Sequence, residues 1–208
     1  KDCSYSYFTN GIDEVFIDQN KLEELNVKQN KERQTILYAG NIGEGQGLHI
    51  VIPLVAKALN NQFVFKIIGD GGAKQKLVDQ LQIHKISNVE MLNPVNRTIL
   101  IEEYKKADFL FLHLNKHKAF ERVLPSKLFE YGVFDKPIIA GVSGYAAKFI
   151  NEHVANTILF EPGDVKSLLD QLQEYEYKNV NRIEFIEKFT RKNINSKMAK
   201  SIISVING

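Results

Sequence analysis

The sequence predicts an α/β fold, a mostly parallel sheet with helices on both faces, and three observations predict it. Six apolar runs of strand length are each bounded by Gly, Pro, Asn or Asp. Segments of helical period lie between them, the rhythm of repeated β-α units whose parallel strands are covered on both sides. The chain has 208 residues, 44% of them hydrophobic, enough for one large domain with a substantial core.

The strand candidates are "TILYAG" (35–40), "FVFKIIG" (63–69), "VEML" (89–92), "ADFLFLH" (107–113), "KPIIAG" (136–141) and "NTILF" (156–160). Helices are expected near 47–60, 73–82, 97–106, 126–134, 144–152 and 164–174. The first 34 residues break the rhythm. "SYSYFTNGIDEVF" reads as a strand-like stretch ending in an Asn-Gly turn, and "DQNKLEELNVKQNKERQ" as a charged linker. At the other end, residues 181–206 predict one long amphipathic helix, with Ile194, Met198, Ile202 and Val205 at helical spacing. From Lys188 onward it carries Arg191, Lys192, Lys197 and Lys200 and no acidic residue, which suits a solvated face, a partner domain or an anionic membrane surface.

Composition narrows the function classes. Lys plus Arg exceeds Asp plus Glu by 27 to 25, so nothing argues for a nucleic-acid partner. A single cysteine, Cys3, excludes an internal disulfide framework and fits a reducing, cytoplasmic setting. No apolar run approaches the roughly 18 residues of a membrane span.

In parallel sheets of this kind ligands bind at the carboxyl ends of the strands, so the loops there are the place to seek chemistry. After the first strand come Gly40, Gly43, Gly45 and Gly47, which let backbone N–H groups approach an anion at the next helix. Neither a G-x-G-x-x-G dinucleotide fingerprint nor a Walker A loop fits them, which disfavours a nicotinamide oxidoreductase. After the second strand, Gly69, Asp70 and Gly71 read as a tight turn that Asp favours, although Asp70 stands where a ribose-gripping carboxylate would in a nicotinamide enzyme. In "ERVLPSKLFEY", Pro125 and Ser126 open a helix and place Lys127 and Glu130 three apart on one face. A cation there suits a diphosphate and a carboxylate one turn on suits a ribose; an ordinary helical ion pair is the plainer alternative. His113 and His117 are four apart but lack a third ligand, so no metal is expected, and His113 with Asn115 is read as lining the cleft.

Taken together, "TNGID", "YAGNIGEGQGL", "IIGDGG", "YKKADFLFLH", "PSKLFEYGVFDKPIIAGVSG" and "FEPGDVKSLLDQL" resemble, in order and spacing, the donor-binding half of retaining family 4 glycosyltransferases of the two-Rossmann-domain (GT-B) fold. The "GNIG...QGL" and "PSKLFEY" forms look like the bacterial branch that builds O-antigen and capsular polysaccharide. The resemblance implies a Rossmann-like nucleotide-sugar domain over 35–180, preceded in 1–34 by the remnant of an N-terminal domain and its linker, and followed in 181–208 by a helix that crosses to that missing domain. It implies a nucleoside-diphosphate sugar as donor, UDP favoured, no metal or other cofactor, a saccharide or lipid-linked acceptor held by the missing domain, and peripheral contact with the inner membrane face.

By the same resemblance, backbone around Gly43, Gly45 and Gly47 faces the diphosphate or sugar, with Asn41, Gln46, Gly69, Asp70 and Gly71 on the same side. Glu130 holds the ribose, Lys127 with Ser126 meets phosphate, and Val95 offers its backbone to the base; Ser143 and Gly144 lie near the cleft. Three departures stand out. Asn41 and Gln46 occupy places where most members carry an Arg and a Lys. Arg122 stands where many carry a Glu, so that either Glu121 does that work or Arg122 binds phosphate. "GVSGYAAKF" lacks the usual Glu after its glycines. A nucleotide-sugar epimerase and a non-catalytic subunit supporting a transferase remain the alternatives.

Overall fold

The computed structural model describes residues 5–21 and 32–207. Six strands, β1 (Gln34–Asn41), β2 (Phe63–Asp70), β3 (Val89–Leu92), β4 (Phe109–His113), β5 (Ile138–Gly141) and β6 (Thr157–Phe160), form one parallel sheet in the order β3-β2-β1-β4-β5-β6. All six coincide with the expected runs to within two residues. The strand order reverses between β1 and β4, and the carboxyl ends of these two strands are the switch point at which sheets of this kind bind ligands.

Alternation along each strand sends successive side chains to opposite faces. Leu37, Ala39, Leu110, Leu112, Ile138 and Ala140 enter one buried cluster, and Ile36, Tyr38, Phe109, Phe111 and Ile139 the other. The second cluster is closed by α2 (Leu48–Ala58), α3 (Lys74–Ile83) and α7 (Val165–Glu174), through Val51, Val55, Leu77 and Leu168. The first is closed by α1 (Glu14–Lys21), α4 (Arg97–Lys106), α5 (Lys127–Tyr131), α6 (Gly144–His153) and α8 (Ile183–Phe189). Among the side-chain caps at helix starts, Asn96 accepts from the Ile99 N–H at 3.0 Å and Asp164 from the Ser167 N–H at 3.0 Å.

Several expectations need correction. Residues 5–11 form no strand, and after Ile12 and Asp13 the chain enters α1; its eight residues are too short and too charged for helical period to declare itself. Tertiary contacts hold the segment: Ile12 and Phe16 are buried, and Ile12 exchanges backbone hydrogen bonds with Phe189 and Arg191. The linker expected across 18–34 lies, for residues 22–31, outside the described residues.

The helix expected over 126–134 shrinks to α5 because residues 132–136 turn through Gly132 toward Pro137. The long C-terminal helix is two, α8 and α9 (Arg191–Asn207), broken at Thr190, whose extended backbone makes a bridge to Ile12. On α9, Met198, Ile202 and Val205 are exposed, the last to 81%. No helix among the described residues is long and apolar enough to cross a membrane.

One buried cation organises this end of the molecule. Arg182 donates to the carbonyls of Ala155, Phe134, Lys136 and Asn156, tying the segment before α8 to the loops around β5 and β6.

Candidate functional site

The glycine loop between β1 and α2 lies at the carboxyl end of β1, and its shape is set by bonds within it. Gln46 N–H donates to Gly43 O and Gly47 N–H to Glu44 O, each at 3.1 Å. Gly47 is the N-cap of α2 in the left-handed region, with φ 59°, and a β-carbon there would meet Asn115 Cγ at 3.1 Å, so glycine is required twice over. Among the described residues, the backbone N–H groups of Glu44, Gly45, Leu48 and His49 have no acceptor. That is a row of donors at the start of an eleven-residue helix, a ready place for an anion.

Asn41 and Gln46 do not stand apart as two neutral replacements for cations. The Asn41 amide donates to Gln46 Oε1 at 3.0 Å, and that oxygen also accepts from the Gly43 N–H at 3.2 Å. The pair closes the loop on itself.

Lys127, at the start of α5, brings positive charge to the same place. Its Nζ lies over Gly40, 2.7 Å from where a β-carbon would stand, and between the rings of Tyr38 and Tyr131 at 5.8 and 5.6 Å. Burial holds this ammonium below its ordinary 10.5, and the Glu130 carboxylate pulls partly back. Glu130 makes no contact ion pair with it; its Oε2 instead accepts from Tyr104 Oη at 3.0 Å. The plain helical ion pair is therefore not what these residues form. Burial raises the pKa of Tyr38, Tyr104 and Tyr131 alike, so all three remain hydroxyl donors at neutral pH. Tyr131 also bonds across the switch point: its hydroxyl donates to Phe111 O on β4 at 3.2 Å and accepts from Ala39 N–H on β1 at 3.4 Å.

Ser126 occupies the N-cap position of α5 with helical backbone and makes no capping bond; the first turn closes instead on the Pro125 carbonyl. Glu121 and Arg122 lie exposed on a 3-10 turn, Lys118–Arg122. That turn wedges between two loops: Phe120 Cζ is 2.9 Å from where a Gly45 β-carbon would be, and Glu121 O is 2.3 Å from that point at Gly144. Gly144 thus serves a backbone crossing at the start of α6, next to Ser143.

At the end of β2 the tight turn holds, with Asp70 Oδ1 accepting from the Gly71 N–H at 2.9 Å. Gly69 has a reason of its own: at φ +153° its β-carbon would sit 1.9 Å from Gly40 O on the paired strand. Val95, half-buried in the loop before α4, has backbone groups without a protein partner among the described residues.

His113, expected to line the cleft, is buried, and with Asn115 it holds the glycine loop. Asn115 N–H donates to Gly45 O at 2.8 Å, and its side-chain amide to Glu44 O at 3.0 Å. His113 Nδ1 is 2.7 Å from Gln46 O, and its Nε2 is 3.1 Å from Gly163 N. A carbonyl can only accept and a backbone N–H can only donate, so the ring is the neutral Nδ1–H tautomer. Burial holds its pKa below the ordinary 6.5. Tyr104, Tyr131, Phe120 and the bonds of His113 escaped the sequence reading, for nothing in local spacing marks them.

Residues 19–193 match the model of the family described as Glycosyl transferases group 1. The chain belongs to that family. Among curated relatives of this group 1 domain is the putative colanic acid biosynthesis glycosyl transferase WcaI of Escherichia coli K12, 34% identical over 105 residues, 50% of this chain and 25% of that protein. Among solved structures, Anabaena Alr3699/HepE in complex with UDP-glucose superposes with a TM-score of 0.70 at 17% identity, over 95% of this chain and 57% of its own. The pneumococcal O-GlcNAc transferase GtfA, in complex with UDP and GlcNAc, gives 0.64 at 16% identity, over 87% of this chain and 37% of its own. The fold is thus the Rossmann-like α/β domain of GT-B glycosyltransferases. The chain spans a quarter of that curated relative and a little over half of the HepE chain.

Proposed function

We propose that this group 1 domain is the donor-binding half of a retaining glycosyltransferase that moves a sugar from a nucleoside-diphosphate sugar, UDP favoured, to a saccharide or lipid-linked acceptor in bacterial surface-polysaccharide synthesis. The observation that carries the reading is the convergence, at the β1/β4 switch point, of open backbone N–H groups on the glycine loop with the Lys127 ammonium and the Glu130 carboxylate. The HepE and GtfA structures hold UDP or a UDP-sugar, which favours that base, and WcaI favours the polysaccharide role.

In this reading the loop N–H groups and Lys127 take up the negative charge that grows on the leaving diphosphate, the main contribution a protein makes to such a transfer. Glu130, steadied by Tyr104, accepts the ribose hydroxyls, and Val95 offers its free backbone edge to the base. Asn41 contributes a neutral amide where a cation would add charge, so Lys127 carries more of the load, and either exposed Arg122 meets phosphate or Glu121 does the work of the absent carboxylate. Acceptor binding falls to the rest of the full-length protein, and the chain alone has negligible transfer activity.

Calorimetric titration with UDP and GDP, beside Lys127→Ala and Glu130→Ala, tests this. Binding of one nucleotide, lost in both variants, supports the donor site. Absence of binding in the full-length protein as well refutes it and favours a non-catalytic supporting subunit, for which the neutral Asn41 and Gln46 pair speaks. Release of free nucleotide without acceptor marks the epimerase alternative.

A further inference from the structure

We propose that His113 is a positioning residue, a neutral clamp that holds the glycine loop in its ligand-facing shape through the Gln46 carbonyl, its tautomer set by the N–H of the loop after β6. The proposal rests on the donor reading above only for the choice of UDP as probe. Three segments far apart in sequence meet at this ring: Gln46 O receives its Nδ1–H, Gly163 N–H gives to its Nε2, and Gly141 of β5 presses on its edge with no room for a β-carbon, which would stand 2.2 Å from His113 Cδ2. The ring is buried and stacked near Phe111 and Phe160, at 6.3 and 5.8 Å between centroids, so water does not replace either bond.

Fixing the Gln46 carbonyl inward matters because the following residues, Leu48 and His49, carry the open N–H donors at the head of α2. A peptide plane is rigid, and turning that carbonyl away would re-aim the first turn of the helix. Protonation has the same effect by another route: a second ring N–H at Nε2 would face the Gly163 N–H, donor against donor. The charged groups on the elements packed around the ring are Glu44, Lys116, Glu161 and Asp164, with His49 on α2. Glu44 is paired with Lys76, Asp164 caps α7, and Lys116 and Glu161 are exposed. None of them offsets an imidazolium charge at this position.

Two amides separate the bonds. Asn places its Nδ2–H where His has Nδ1 and keeps the link to Gln46; Gln places Oε1 near Nε2 and keeps the link to Gly163. The test measures amide-exchange protection of the bonded loop amides of Gly43, Gln46 and Gly47 in the ligand-free chain from pH 7.5 to 4.5, and UDP affinity at pH 7.5, for wild type, His113→Asn, His113→Gln and His113→Leu. His113→Asn is expected within about threefold of wild type in both at pH 7.5, and His113→Gln and His113→Leu to lose about tenfold, the worth of one buried hydrogen bond. Below pH 6.5 wild-type protection falls by up to about tenfold per pH unit as opening takes up a proton, and His113→Asn lacks that slope.

Equal loss in His113→Asn and His113→Leu, or pH slopes that match, would reduce the ring to core packing and overturn the proposal. Should His113→Leu not fold, the Asn and Gln pair carries the comparison. If wild type takes up no UDP, the donor reading fails, while loop protection in the variants still decides the clamp.

Discussion

Replacing Lys127 by Met separates stability from function, because the two should move in opposite directions. The ammonium sits over Gly40 between two tyrosine rings, and burial disfavours its charged form in the unbound protein. Removing a buried charge that lacks a contact ion pair relieves that penalty, and Met fills a similar volume, so the variant should be as stable as wild type or gain up to about 1 kcal/mol. Binding should respond the other way. A charge-assisted hydrogen bond to phosphate is worth about 1.5–3 kcal/mol, hence a loss of about 10- to 150-fold in UDP affinity.

The pH dependence carries the same signature. A base whose folded pKa lies below its ordinary value adds stability as pH rises from that lowered value to 10.5, so unbound wild type gains stability over that range and the Met variant lacks the gain. UDP affinity of wild type falls through the same range as the cation is lost. Urea unfolding and calorimetry over an alkaline pH series measure both. A variant destabilised by more than about 2 kcal/mol, or binding UDP as tightly as wild type, would refute the reasoning, since Lys127 would then be a packing residue.

Three further outcomes are expected. Gly69→Ala forces a β-carbon onto Gly40 O at 1.9 Å with φ at +153°, and should cost about 3–5 kcal/mol in urea unfolding; a loss below about 1 kcal/mol would show that β1 and β2 part easily. Arg182→Met strands four carbonyls that one guanidinium now satisfies, at about 3–5 kcal/mol, read as a fall in Tm without change in the UDP affinity of the surviving folded protein. Tyr104→Phe removes the donor to Glu130 Oε2, for about 1 kcal/mol of stability and a severalfold weaker hold on UDP; calorimetry with uridine lacking ribose hydroxyls should show no difference between variant and wild type.

Strands and most helices were legible because their signals are local. A parallel strand buried on both faces must be a short apolar run, as β4 is up to His113, and α4 and α7 show helical period between or beyond such runs. The order of these runs carries the β-α rhythm, and with it the expectation that chemistry sits at the strands' carboxyl ends. Lys127 and Glu130 were legible as a pair for the same reason, three residues apart on one turn. Where local signal was weak the expectation failed: α1 is short and charged, and at the break at Thr190 the Thr190 cap on α9 is joined by Ile12, from the far end of the chain, which bonds on either side of it.

By itself, then, the sequence determined the strand-helix succession, the glycine loop and the family, since each depends on residue type and near spacing. Tertiary structure alone decided what those residues touch. Glu130 turns to Tyr104 and not to Lys127, Asn41 closes on Gln46, Gly69 yields to the neighbouring strand, and His113 joins residues 46 and 163. The physical reason is the same in each case: burial obliges every polar group to find a partner, and in a crossing parallel sheet the partner at hand comes from another strand's loop, which no spacing along the chain records.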